Sequence, residues 1–192
     1  ISNLLGASTQ YQPRRRKDID GIFIAAFPKQ ARLIKPQLNF HHAQNLPVIS
    51  TSHVYSGTID PENDRDLNGI IFVDAPWLVG ASSAVPQGLS HGTIEQHWQH
   101  LMDNHSRFMA LGIDAYRLVP YLEVMQENPD ERLDGLTGQL YLSNNNTINR
   151  GLVSARFVKG KPVFEMPTRE GQNDEQITTS GPLGDGRAGE DS

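Results

Sequence analysis

Polar side chains that could contact a ligand follow two short apolar segments of the chain. They are Ser50, Thr51, Ser52 and His53 after the first segment, and Asp74 and Trp77 after the second. In open α/β sheets, ligands bind beyond the carboxyl ends of the strands. Hydroxyls, an imidazole, a carboxylate and an indole at that edge predict a site for a small polar ligand. The same loops equally suit a hinge between two lobes, with Trp77 packed as a wedge, and the hinge is the favoured interpretation.

The histidines are a second group with possible chemistry. Glu95, His97, His100 and His105 fall within one helical segment, with His91 just before it. His97 and His100 are three residues apart and could share a face of the helix. The set is not an HExxH motif, however, and His105 falls on the apolar stripe of the helix. The sequence therefore favours ordinary helix histidines and predicts neither a metal site nor a cofactor.

Motifs for catalysis and for nucleic-acid binding are missing from the sequence. There is no cysteine, no G-x-S-x-G elbow, no Walker loop and no G-x-G-x-x-G fingerprint, and nothing places a base near Ser82 or Ser83. The only basic run, at 14–17, is short and lies in a chain of net charge −5. A nucleic-acid-binding domain is normally basic. We therefore expect a protein that is not an enzyme and does not bind nucleic acid.

The elements that would position the strand-end loops form parallel βα units. Short apolar runs at 20–27, 46–50 and 69–73 are typical of strands buried on both faces. Between the first two, apolar residues recur with helical spacing after Pro28, and Pro36 is expected to kink or end that helix. Three such strands predict part of a parallel sheet flanked by helices.

The second half of the chain predicts helices and then antiparallel strands. Residues 92–126 have a helical apolar stripe, with an expected break at Gly112 and a kink at Pro120. Alternating patterns at 138–142 and 152–158, followed by 162–165, predict a hairpin or meander of two to three strands. Because doubly wound sheets usually have at least five strands, three parallel strands indicate an incomplete domain at 1–167.

The last 25 residues differ from the rest in composition. Residues 168–192 contain six acidic and two basic side chains and no aromatic residue, so they carry −4 of the net charge of −5. Such a segment cannot bury enough apolar surface to offset its ordering entropy. We expect a disordered acidic tail, with an interaction tail as the alternative.

Several of these segments together resemble the C-terminal domain of the LpoA (LppC) family of penicillin-binding protein activators. The resemblance extends from about residue 15 to 165 and keeps the order and spacing of the segments. Its segments are DIDGIFI at 18–24, QARLIKP at 30–36, LNGIIF at 67–72, PWL at 76–78, ALGIDAY at 110–116 and GLTG at 135–138.

The resemblance implies an α/β fold, namely part of a two-lobed type I periplasmic-binding-protein-like fold ending in an antiparallel meander. By this analogy, residues 18–52 belong to one lobe. The strand at 69–73 and the helices at 92–126 would belong to the other lobe, and residues 137–165 would return to the first. The family also implies a non-enzymatic regulator that activates a class A penicillin-binding protein, a peptidoglycan synthase, by direct contact. Its location would be the periplasmic side of the outer membrane, with a lipid anchor upstream of this chain. The alternative is a periplasmic solute-binding protein for an amino acid or cell-wall fragment.

Overall fold

A five-stranded sheet forms the centre of the fold. The computed structural model describes residues 18–81, 86–102 and 105–165. The strands are β1 (Ile22–Ile24), β2 (Val48–Ser50), β3 (Ile70–Asp74), β7 (Val153–Val158) and β8 (Lys161–Glu165), in the order β1-β2-β3-β7-β8. The first three are parallel, whereas β7 and β8 are antiparallel to their neighbours. The predicted parallel strands are therefore confirmed.

Helix α1 (Pro28–Phe40) covers one face of this sheet. Pro28 occupies the first turn, where a missing N–H costs nothing. Ala31 is fully buried, and Ile34 and Leu38 pack against the same core. Of the kink or end expected at Pro36, the end is wrong, because α1 continues to Phe40 and the packing of Leu38 holds its last turn on the core. The kink stays a prediction.

An ion pair joins α1 to the short 3₁₀ turn at Asn63–Leu67. Arg32 donates to Asp64 Oδ1 from Nε at 3.0 Å and from Nη2 at 2.7 Å. Burial raises the pKa of the Asp64 carboxyl, and the guanidinium acts in the opposite direction. The pair fixes the connection between β2 and β3 against the helix.

In the structure β3 lies in the same sheet as β1 and β2, whereas the lobe analogy assigned it to the second lobe. β3 pairs with β2 along Val48–Ile70 and Ile49–Ile71, and with β7 on its other side. The assignment of residues 69–73 to the second lobe is therefore wrong. The connection at 51–69 is long enough to return a parallel strand beside β2, so no change of lobe is needed before β3.

The helical segment consists of α2 (His91–Met102), α3 (Ser106–Leu118) and α4 (Leu122–Glu127). Pro120 lies in a 3₁₀ turn between α3 and α4, as the sequence predicts. The expected break at Gly112 is wrong, because Gly112 lies inside α3. Buried Ala110 and Asp114 on either side anchor that helix, so a single glycine is tolerated.

The predicted terminal meander is divided between two sheets. β4 (Leu133–Asp134), β5 (Gln139–Leu142) and β6 (Ile148–Gly151) form a separate antiparallel sheet. β6 ends at Gly151 and β7 begins at Val153, so the chain passes from one sheet to the other at Leu152. Antiparallel pairing is confirmed, but the strands do not form one meander, because β7 pairs with β3 instead of β6.

The core lies between the main sheet and the elements on its covered face. Phe72 and Phe157 stack with ring centroids 5.0 Å apart, and the ring of Tyr55 lies 5.9 and 6.0 Å from them. A smaller cluster joins α3 and α4 to the second sheet through Leu118, Met125, Leu133 and Leu140. None of the helices in the described ranges is long and apolar enough to cross a membrane.

Candidate functional site

Two of the six predicted ligand residues are buried at the ends of neighbouring strands. Ser50 ends β2, and its hydroxyl donates to the carbonyl of Ile24 at 2.9 Å. Asp74 ends β3 with 1% of its surface exposed, and its Oδ1 accepts from the Ala75 amide at 2.8 Å. The strand order does bring these residues to one edge, but each already has a partner within the protein.

Arg107 on α3 binds both strand-end loops. Its Nε donates to Asp74 Oδ1 at 3.1 Å and its Nη2 to Asp74 Oδ2. Nη2 also donates to the carbonyls of Ser52 at 3.1 Å and Tyr55 at 3.0 Å. A bidentate pair of this kind combines strength with a fixed orientation. Arg107 therefore ties a helix of the second half of the chain to the edge of the main sheet.

Trp77 is part of the packed interior. It is 3% exposed, and its indole N–H donates to the carbonyl of Leu89 at 2.9 Å. Its ring centroid lies 4.8 Å from that of His91, and its amide donates to the Leu136 carbonyl at 3.2 Å. The side chain thus joins the loop after β3 to the start of α2.

Thr51, Ser52 and His53 are the members of the predicted site that stay accessible. Thr51 and Ser52 are half-buried, and the Thr51 hydroxyl lies 3.4 Å from Nδ1 of exposed His53. The His53 ring meets the edge of Phe27 at 5.5 Å, and Phe27 is 62% exposed. Sequence reasoning missed Phe27, although its position just after β1 is the same signal that selected the other loops. The ligand site as a whole stays a prediction.

Asp114 forms a second junction on α3. Its Oδ1 accepts from the Leu136 amide at 2.7 Å, and its Oδ2 accepts from the Thr137 amide and hydroxyl, both at 2.7 Å. Asp114 is 2% exposed and seven residues after Arg107, which places both side chains on one face of the helix. Helix α3 therefore holds the edge of the main sheet and the β4–β5 loop at once.

Asp114 and Arg107 differ in whether the sequence contains a local signal for their role. Asp114 lies in the segment ALGIDAY, as an acid within an apolar helix, and that pattern could have marked it. Arg107 is 33 residues from Asp74, and no local pattern pairs them. Only the packing of α3 across the strand ends brings the two together.

A cavity of about 300 Å³ adjoins this edge, between the loops after β2 and β3 and the start of α2. His91 and Glu95 line it, with Nδ1 and Oε2 3.7 Å apart. Burial lowers the pKa of His91, and the Glu95 carboxylate acts against that shift. Burial raises the pKa of Tyr55, which also lines the cavity.

His91 and His97 of α2 are engaged in local contacts. His97 Nδ1 lies 2.8 Å from the Thr93 carbonyl. Across the described ranges, His, Asp and Glu side chains form no group of three or more that could hold a metal ion. The side chain of His100 lies outside the described part, as do Ser82, Ser83, the basic run at 14–17 and the tail at 168–192.

Comparison with protein families gives a match over most of the chain. A family described as "LppC putative lipoprotein" matches residues 1–160. A protein of Vibrio antiquarius named penicillin-binding protein activator LpoA is 31% identical over 155 residues, covering 79% of this chain and 24% of that protein. The protein of the same name from Vibrio vulnificus is 29% identical over 153 residues, with 78% and 24% covered. The chain thus spans about a quarter of the length of these relatives.

Solved structures share the fold. The C-domain of LpoA from Haemophilus influenzae, described as a regulator of PBP1A, matches with a TM-score of 0.63 and 20% identity, covering 79% of this chain and 46% of that one. A branched-chain amino acid ABC transporter protein of Rhodospirillum rubrum matches with a TM-score of 0.52 and 15% identity, with 76% and 44% covered. At such identities the likeness concerns the fold alone. The predicted α/β fold class is confirmed.

Proposed function

Because the chain belongs to the LppC lipoprotein family, we propose that it is part of a regulator that activates a penicillin-binding protein. The proposal extends to a class A synthase as the partner, to direct protein contact as the mode of action and to a role without catalysis. It also places the protein on the periplasmic side of the outer membrane, held by a lipid anchor. The observation that carries the proposal is the match over residues 1–160, together with the activator name shared by the relatives.

The geometry of the strand-end edge supports a role through contact. Asp74 is neutralised by Arg107, and Ser50 and Trp77 donate to backbone carbonyls. These three side chains therefore join elements of the fold, which favours the hinge interpretation over ligand contact at these positions. Side chains used in this way suit a protein that acts by presenting surfaces to a partner.

We propose that residues 1–167 form the later part of a two-lobed domain, to which both lobes contribute, followed by an acidic tail at 168–192. One face of the main sheet supports this organisation. Phe23, Ile49 and Val163 share a register row on that face and are 66%, 46% and 46% exposed. Parallel strands such as β1, β2 and β3 are normally covered on both faces. The H. influenzae C-domain is about twice as long as the matched part, and we assign the cover to the earlier half of the same domain.

A solute-binding function is the second candidate. The observation in its favour is the accessible group formed by Thr51, His53 and Phe27 at the strand ends. This group has no carboxylate, since Asp74 is paired with Arg107. An amino acid would need a partner for its ammonium group as well as for its carboxylate. The edge therefore gives this candidate less support than the family relationship gives the regulator.

A reconstituted assay tests the regulator proposal. The purified protein, in the longest form that its gene encodes, is added to its cognate class A synthase with the lipid-linked glycan precursor. We expect faster glycan polymerisation or more peptide cross-linking, and a complex of the two proteins in sedimentation without substrate. A monofunctional transpeptidase from the same organism is the control and should show no change. No effect on the class A enzyme at saturating protein would overturn the proposal.

Calorimetry of the same protein with amino acids and muropeptides tests the second candidate. Saturable heat that is lost on His53→Ala would support solute binding at the strand ends. Flat titrations would reject it. The two experiments are independent, because activation of a synthase requires no soluble ligand.

A further inference from the structure

The cavity of about 300 Å³ beside the strand ends has the features of a small-molecule site. Its volume is at the lower end of the range of ligand pockets, roughly 300–1,000 Å³. Aromatic, aliphatic and polar side chains contribute to its wall. Among them are Tyr55, Trp77, Ile59, Thr58, His91 and Glu95. Trp77 is the one residue that this cavity shares with the six strand-end residues predicted from the sequence.

Tyr55 contributes a phenol to the cavity wall. The residue is 2% exposed, and its backbone carbonyl accepts from Arg107. Within the described ranges its hydroxyl forms no hydrogen bond. The phenol therefore has hydrogen-bonding capacity left for a ligand in the cavity. Because burial raises its pKa, the phenol is neutral and can accept a hydrogen bond from a ligand.

The charge of the cavity wall is negative. The Glu95 carboxylate is half exposed and lies 3.7 Å from His91 Nδ1. Burial lowers the pKa of His91, so the imidazole is neutral at pH 7 and leaves the carboxylate uncompensated. The guanidinium of Arg107 donates from Nε and Nη2 to Asp74 and to two backbone carbonyls. The wall thus combines a free negative charge with the rings of Tyr55 and Trp77.

We propose that this cavity binds a small organic cation, namely a primary ammonium group carried on an aromatic or apolar body. The Glu95 carboxylate accepts a charge-assisted hydrogen bond from the ammonium group, and the Tyr55 hydroxyl accepts a second. The rings of Tyr55 and Trp77 attract the cation through their faces, and Ile59 contacts the apolar body. This site goes beyond the regulator function and does not depend on it.

Isothermal titration calorimetry of the full chain with three probes of matched shape tests the site. The probes are benzylammonium, benzyl alcohol and benzoate, which differ in charge but share one ring. We expect saturable binding of benzylammonium, binding at least about tenfold weaker for the alcohol, and none for benzoate. Equal binding of all three, or no saturable binding of benzylammonium, would overturn the proposal.

Two variants assign the binding to the cavity. Glu95→Gln removes the charge from a half-exposed side chain, and we expect benzylammonium to bind about tenfold more weakly. Tyr55→Phe keeps the ring and removes the hydroxyl, and it should weaken binding several-fold. Glu127→Gln, the same charge change at the exposed end of α4, is the matched control and should leave the affinity unchanged. Unchanged affinity in both cavity variants, with circular dichroism spectra like that of the parent, would rule the site out.

Discussion

Arg107 of α3 and Asp74 at the end of β3 form a bidentate ion pair, although 33 residues separate them in the sequence. The carboxylate is 1% exposed, and the guanidinium also binds the carbonyls of Ser52 and Tyr55. One side chain therefore fixes three segments at the point where the main sheet meets the helices. The predictions that follow concern this junction and its neighbours.

Removing the charge of Asp74 should destabilise the protein. In Asp74→Asn, one oxygen acceptor becomes an N–H donor that faces the guanidinium, so Arg107 loses half of its bidentate partner. We expect the free energy of unfolding to fall by about 2–3 kcal/mol. Urea denaturation followed by tryptophan fluorescence measures it. Asp130→Asn, on an exposed turn, is the control, and equal midpoints for the two variants would contradict the assigned role of the pair.

Asp114 should protect the β4–β5 loop from opening. Asp114→Asn places an amide N–H₂ against donors from Leu136 and Thr137, and we expect a loss of about 2–3 kcal/mol. Thr137→Val removes only the hydroxyl bond and should cost about 1 kcal/mol. Hydrogen exchange at the amides of Leu136 and Thr137 should be faster in Asp114→Asn than in the parent. Unchanged protection at both amides would show that Asp114 does not hold the loop.

Two glycines near this junction should respond oppositely to alanine. A Cβ at Gly135 would lie 2.6 Å from Asp114 Oδ2 and 2.9 Å from its Cγ, so Gly135→Ala must displace the buried carboxylate. We expect a loss of about 1–3 kcal/mol. A Cβ at Gly112 would meet nothing within 4 Å, and Gly112→Ala at this exposed position of α3 should stabilise by about 0.5–1 kcal/mol. Thermal unfolding of the two variants measures the direction of each change in stability. A stabilising Gly135→Ala would refute the close approach of Asp114 to Gly135.

His91 should titrate below the ordinary histidine value of about 6.5. Burial disfavours its charged form, so the unfolded chain binds a proton at a higher pH than the folded protein does. Between the two pKa values the unfolded state holds more protons, and stability falls as the pH drops below about 6.5. The proton NMR signal of His91, assigned with His91→Gln, reports the pKa. Glu95→Gln should lower this pKa further, because the carboxylate favours the imidazolium; a rise would contradict the pairing.

Sequence patterns found the elements whose signals are local. Apolar runs marked β1, β2 and β3, and helical periodicity marked α1 and the segment from α2 to α4. The helix break expected at Gly112 and the helix end expected at Pro36 are wrong, because glycine and proline act on local propensity. The packing of Ala110 and Leu38 decides whether each helix continues. The lobe assignment of β3 and the single meander failed for a related reason, since strand pairing is a relation between distant segments.

The sequence by itself determined the family, the α/β class and the two loops that meet at the strand ends, because each is encoded by residue types in short segments. Only the tertiary structure decided what those loops do. Asp74 and Trp77 look like ligand contacts in the sequence, yet one pairs with Arg107 and the other donates to Leu89. A carboxylate or an indole has the same chemistry in either role. Its partner is a ligand or the protein itself, depending on which groups folding brings within hydrogen-bonding distance. Packing between segments that are tens of residues apart determines which groups those are.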